Sequence, residues 1–158
     1  MPIHRPDTVE KHENDGEKIV TGPYASLRFS DAGGLTQFVV HVETLPPGSF
    51  SSIKHWHENE DEMIYVLDGE LLLHEGDDVS TIRAGEAATF KAGVPLAHCL
   101  ENASDATAKV LVIGTRLEGD VVTFPDHDRK LTSHRAMETY SWTTQAGDPA
   151  DNPYLKKE

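Results

Sequence analysis

The sequence predicts an all-β domain, a sandwich or barrel of short strands. Eight or nine segments rich in β-branched and aromatic residues recur at short, regular spacing. Gly, Pro and Asp punctuate them, and almost no stretch shows a helical period. That pattern asks for sheet packed on sheet, or for a sheet closed on itself. At 158 residues the chain is long enough for one domain with polar arms, and not for two domains. The expected division is an arm at 1–22, a barrel at 23–125 and an extension at 126–158.

Residues 1–22 are polar and carry Pro2, Pro6 and Gly22 without a period, so they read as an arm lying on the barrel or on a partner subunit. Gly22-Pro23 is a turn, and YASLRFS (24–30) is a short strand. Asp31 to Gly34 turns the chain into LTQFVVHVETL (35–45), a strong strand with Phe38, Val40 and Val42 on one face and Gln37, Val39 and His41 on the other. Leu45-Pro-Pro-Gly48 stops it. SFSSIKHWH (49–57) is the next strand, followed by ENED (58–61) as an exposed acidic turn. EMIYVL (62–67) is a strand, Asp68-Gly69 a tight hairpin signal, and ELLLHEG (70–76) its expected partner. Two short strands flank Gly85, VPLAHCLEN leads into another, and AKVLVIGT (108–115) reads as a buried strand. Val121 to Phe124 is one more, before a Pro-Asp turn. His134 to Tyr140 reads equally as one helical turn or a strand, and QAGDPADNPYLKKE as a polar strap or tail.

Composition narrows the partners. With 14 Lys+Arg against 27 Asp+Glu, the net charge of −13 repels a phosphate backbone or an anionic membrane, so nucleic acid and lipid are not expected. Cys99 stands alone, so no internal disulfide forms. The first eighteen residues have no apolar core and do not read as a signal peptide, and no apolar run approaches the ~20 residues of a membrane span. The expectation is a soluble cytoplasmic protein.

The chemistry concentrates in GSFSSIKHWHENEDEMIYVLDG (48–69). On a strand, residues i and i+2 share a face about 7 Å apart, so His55 and His57 aim two imidazoles into one space. A four-residue turn then returns the chain, and Glu62 begins the expected antiparallel neighbour with its carboxylate facing the histidines. Three such ligands occupy one side of a metal and leave other positions open, and His98 would complete a three-histidine, one-carboxylate set. Imidazole and carboxylate suit one divalent transition metal, Fe, Mn, Ni, Co or Zn, without choosing among them.

These residues resemble the first cupin motif, G-x(5)-H-x-H-x(3,4)-E-x(6)-G. Gly48, His55, His57, Glu62 and Gly69 occupy its positions, with six residues instead of five between Gly48 and His55. The second motif, G-x(5)-P-x-G-x(2)-H-x(3)-N, is looser: Gly85 begins it, Lys91 replaces the proline, Gly93 matches, and His98 and Asn102 keep their spacing after a loop two residues longer. The resemblance spans roughly 33–115, and one motif pair means a monocupin. GTRLEGDVVTFPDHD, LTQF and LPPG resemble a subgroup of small bacterial cupins. The resemblance implies a double-stranded β-helix, or jelly roll, with a metal and a small-molecule ligand inside one mouth. It also implies a homodimer formed by packed sheets, which Leu71 to Leu73 fits.

Other residues have plainer readings. His41 shares the parity of Val39 and could line the barrel as a substrate contact, although a core or rim histidine is the simpler role. His74 and Tyr65 belong to outward or packing faces. Cys99, next to His98 on a strand, points away from it into apolar surroundings. Arg83 and Arg116 suit surface ion pairs, Asn102 a hydrogen-bonded turn, and ENED and Asp77-Asp78 solvated turns.

Two functions follow. The first is a small metalloenzyme, either a dioxygenase or an isomerase or lyase that stabilises an enediolate. No separate general base is evident; a metal-bound hydroxide or Glu62 itself could serve. The second is a non-catalytic ligand-binding or sensor module, with the metal anchoring the ligand.

Overall fold

The computed structural model describes residues 3–157. Met1 and Pro2 of the expected arm, and Glu158 of the expected tail, lie outside the described residues. Thirteen strands form among them: β1 (Lys11–Asn14), β2 (Tyr24–Arg28), β3 (Phe38–Leu45), β4 (Trp56–His57), β5 (Glu62–Asp68), β6 (Glu70–Glu75), β7 (Asp78–Arg83), β8 (Ala87–Phe90), β9 (His98–Glu101), β10 (Ala108–Thr115), β11 (Gly119–Phe124), β12 (Arg129–His134) and β13 (Thr139–Thr143). One helical turn spans Phe29–Ala32, and a 3-10 turn spans Pro125–His127. No helix among the described residues is long and apolar enough to cross a membrane.

A six-stranded sheet runs β1-β2-β3-β10-β5-β8. Two shorter ladders, β7-β6-β9 and β4-β11-β12-β13, make the opposing layer. Segment 50–57 joins them, because Phe50 bridges Glu101 and His55 bridges His98 while His57 pairs with Val122. Every ladder is antiparallel. The result is the double-stranded β-helix. Its core, Leu45, Ile64, Val66, Leu71, Ile82, Leu100, Ala108, Val110 and Val112, comes from alternate positions of strands in both layers. β10 shows the period most clearly, burying Ala108, Val110, Val112 and Gly114 in turn.

Several sequence expectations are corrected. Asp68-Gly69 does not close a hairpin. β5 pairs with β10 and β8, whereas β6 pairs with β7 and β9 in the other layer. The turn is instead a corner that carries the chain between sheets. Gly69 sits there at φ +83°, where a Cβ would lie 3.0 Å from the Cβ of Ala108. Turn chemistry specifies a tight reversal but not the ladder partner. For the same reason Glu62 does not neighbour the histidine strand. It faces that strand from the opposite sheet.

Of the expected strand 49–57 only Trp56–His57 is laddered. The preceding backbone splits its partners, Phe50 N–H donating to Thr21 O and Ser51 N–H to Leu100 O. The strand expected at 24–30 ends at Arg28 and gives way to the helical turn. β1, β12 and β13 were not among the expected strands. The polar Lys11–Asn14 and Arg129–His134 have weak strand propensity, and pairing against β2 and β11 supplies what propensity lacks, whereas β13, TYSWT, is rich in strand formers and pairs with β12. The ambiguous stretch 134–140 resolves as a tight turn between β12 and β13, with Glu138 at φ +50°.

The C-terminal segment is strapped over the barrel. Val20 N–H donates to Tyr154 O, Lys156 N–H to Lys18 O, and the Lys156 ammonium to Gly16 O. Tyr154 packs its ring against Phe124 and Trp142, at centroid distances of 5.8 and 6.4 Å.

Candidate metal centre

Three imidazoles converge on one carboxylate. Glu62 Oε2 lies 3.9 Å from His55 Nε2, 3.5 Å from His57 Nε2 and 3.7 Å from His98 Nε2. His55 and His98 exchange both backbone hydrogen bonds, at 3.1 and 2.9 Å, and a pair of that kind points its side chains to the same face. The insertion before His98 therefore does not misdirect it. β5 brings Glu62 across from the facing sheet.

The outer ring nitrogens set the tautomers. His55 Nδ1 donates to Ile53 O at 3.0 Å, with Ser52 Oγ at 3.1 Å. His57 Nδ1 donates to Asp120 Oδ2 at 2.6 Å, and Asp120 Oδ1 accepts from Asn59 N–H at 3.0 Å. Both Nε2 atoms then face Glu62. His98 stacks on Phe90, with ring centroids 3.4 Å apart and nearly parallel planes, and neither of its ring nitrogens has a hydrogen-bond partner among the described residues.

Electrostatics agree with this picture. Burial pushes the Glu62 carboxyl up, yet the three imidazoles outweigh it and hold the group well below the usual range. Burial lowers His57, but Asp120 and Glu62 more than compensate and raise it to about 9. Burial lowers His98, reinforced by the neighbouring His55 and His57. A buried anion, three nitrogens too far from it to hydrogen-bond well, and an orphaned imidazole are the donor set of a shared cation. Without one, the unpaired polar atoms would be costly to bury. His55, His57, Glu62 and His98 therefore fit a divalent metal. His57, Glu60 and Asp120 also converge. Glu60, however, is already bound by Arg135 at 2.6 Å and by Leu117 N–H at 2.8 Å, so that group supports the cluster and does not form a second one.

A cavity of about 200 Å³ adjoins the cluster. His41 lines it with Glu43, the two side chains 3.1 Å apart, and Tyr154 closes one side. Ile64, Phe90, Leu100 and Val112 make its apolar walls. A further hollow of about 180 Å³ borders His57 and His98 and includes Lys91 and Glu75.

ENED is not a solvated turn throughout. Glu60 is 11% exposed and locked by the contacts above, and Asp61 Oδ1 accepts from Ala92 N–H at 2.8 Å. Long-range pairing recruits these acids to fasten loops around the site. Asn102 is fully buried, donating to Leu45 O and Ala106 O. Cys99 is buried, and burial pushes its thiol up to about 11. His74 pairs with Glu101 at 2.7 Å, Arg83 with Glu70 and Arg116 with Asp31. Tyr65 packs less than expected and is 37% exposed. Sequence reasoning missed Asp120 and Tyr154. Asp120 lies within the GTRLEGDVVTFPDHD stretch but outside both metal-ligand motifs, and the only hint of Tyr154 was an aromatic residue in a polar tail.

Residues 41–114 match the family model of the cupin domain. The whole fold resembles a sugar phosphate isomerase from a cupin superfamily of Silicibacter pomeroyi DSS-3. That protein is 30% identical, with 98% of this chain and 100% of that chain covered and a TM-score of 0.85. A protein of Acidithiobacillus ferrooxidans assigned as a sugar phosphate isomerase is 28% identical, with 88% of this chain and 90% of that chain covered and a TM-score of 0.76. A protein of Thermotoga maritima assigned as an oxalate decarboxylase shares the fold at 22% identity, covering 73% of this chain and 100% of that chain with a TM-score of 0.61. No curated protein sequence matches the chain.

Proposed function

The chain belongs to the cupin superfamily, and from that premise we propose that it is a divalent-metal-dependent isomerase or lyase acting on a small hydroxylated carbonyl compound of the sugar phosphate class. The observation that carries this reading is the convergence of His55, His57 and His98 on Glu62 beside a cavity. Two relatives, at 30% and 28% identity, are assigned as sugar phosphate isomerases and support the substrate class.

A divalent cation held by these four residues supplies Lewis-acid polarisation of a carbonyl or hydroxyl oxygen. The protein does the rest. Asp120 and Ile53 fix the two imidazoles so that Nε2 faces inward. Glu62 stays ionised, which suits it to hold a cation and makes it a weak base. His41 is better placed to carry a proton: Glu43 engages its Nε2, and its Nδ1 has no partner among the described residues. Phe90, Leu100 and Val112 exclude water from the reacting carbons. In this reading residues 23–125 carry the barrel and the cluster, while 1–22 and 126–158 close its mouth.

We also propose a cytoplasmic homodimer. The outer face of the six-stranded sheet aligns Leu27, Val42, Leu111 and Tyr65 in one row and Val40, Ile113 and Met63 in the next. Tyr65, Leu67 and Phe38 are exposed there. This face suits a second copy better than Leu71 to Leu73 do, since Leu71 is spent in the core.

The test is metal analysis of protein purified without added metal, then incubation with sugar phosphates in D2O, with exchange at the carbon beside the carbonyl followed by NMR. Metal-dependent exchange that His55→Ala and Glu62→Ala abolish is expected. Bound iron with substrate-dependent oxygen uptake would favour dioxygenase chemistry. Saturable binding without turnover on every metal would make the protein a binder.

A further inference from the structure

The inner face of the six-stranded sheet changes character across its width. Directly opposed residues of antiparallel strands share a face. One row therefore reads Arg28, His41, Val112, Ile64, and the next reads His12, Ser26, Glu43, Val110, Val66. β10 and β5 give the apolar half. β1 and β2 give a polar half, and both lie before residue 41, where the family match begins. This polar half floors a compartment of about 290 Å³ that shares His41, Glu43, Ser51 and Tyr154 with the cavity beside the metal cluster. The two spaces adjoin, with those four side chains lining both.

Charge divides them. The metal-side cavity holds Glu62 besides the shared Glu43, and its lining offers a phosphate no lysine or arginine. The second compartment has one cation, Arg28, set among Asn14, Thr21 and Ser26. The Arg28 guanidinium makes no hydrogen bond among the described residues. Its nearest carboxylate, Asp31, is 3.8 Å away and holds Arg116 more closely, at 3.1 Å. Its five donors are thus free to grip an anion.

We propose that this compartment is a second subsite of the ligand cavity, in which Arg28 holds the phosphate monoester of a polyhydroxylated ligand whose carbonyl end meets the metal cluster. Asn14, Thr21 and Ser26 read the hydroxyls between. The inference rests on the isomerase reading for the identity of the carbonyl end, but the phosphate site stands on Arg28 alone.

The test is calorimetry on metal-loaded protein with matched pairs: dihydroxyacetone phosphate and dihydroxyacetone, ribose 5-phosphate and ribose, fructose 6-phosphate and fructose. For at least one pair, the phosphorylated member should bind about tenfold or more tighter. Arg28→Gln should erase that preference without weakening the unphosphorylated sugar, and Arg28→Lys should restore part of it. The Arg28 side chain is 51% exposed, so both variants should fold, which circular dichroism checks. Equal affinity within every pair, or a preference that survives Arg28→Gln, overturns the subsite. Inorganic phosphate titrated into metal-free protein separates this from the metal reading. Binding that Arg28→Gln abolishes supports the subsite even where no metal is taken up, and no binding in either form overturns it.

Discussion

His57 is tied to Asp120 by a 2.6 Å contact between Nδ1 and Oδ2 that spans 63 residues of sequence, and its Nε2 faces Glu62 at 3.5 Å. One imidazole thus stands between two carboxylates, one facing each ring nitrogen. Asp120→Asn should keep the Asn59 contact and lose the charge. Metal affinity should then fall about 10- to 100-fold with the fold intact, measured by competition against a chromogenic chelator. Wild-type affinity in that variant would remove Asp120 from the centre.

Metal should stabilise the protein through these ligands. At a hundredfold excess over Kd the expected gain is about 2.7 kcal/mol, visible as a rise in Tm that a chelator reverses. Glu62→Gln and His98→Ala should show no such rise. If His98→Ala responds like the wild type, the centre is a three-ligand one.

The strap depends on Tyr154, whose ring meets Phe124 and Trp142 and whose phenol burial pushes well above its ordinary range. Tyr154→Ala should cost about 2 kcal/mol in denaturant unfolding and leave metal content unchanged. An unchanged midpoint would show that the strap is not packed in solution.

Cys99 should resist alkylation in the native state at neutral pH, because its thiol ionises near 11 instead of 9. Between those values the unfolded chain has lost the proton and the native chain keeps it. The unfolded state then binds fewer protons, and stability falls as pH rises. Cys99→Ala should flatten that alkaline decline in a pH series of unfolding midpoints. Rapid labelling of the folded wild type at pH 7 would contradict the burial.

Leu111 lies at the centre of the apolar outer face, between Val42 and Tyr65. Light scattering should find the wild type dimeric and Leu111→Glu monomeric, with metal content retained. A monomeric wild type would leave that face uncovered and overturn the dimer.

Much of this protein was legible in its residues. The β-branched and apolar runs FVVHVETL, EMIYVL and AKVLVIGT mark strands because strand propensity is a local property. His55, His57, Glu62 and His98 were named by spacing, and the structure brings all four together. What stayed hidden was pairing. Asp68-Gly69 looks like a hairpin because its chemistry specifies a turn, while the ladder partners on either side are set by which apolar face finds which sheet. The tertiary fold alone put Glu62 on the sheet facing the histidines, brought Asp120 to His57, and set Arg28 in register with His41. Such contacts join segments tens of residues apart. They depend on the burial and pairing of the whole chain, which no local pattern encodes.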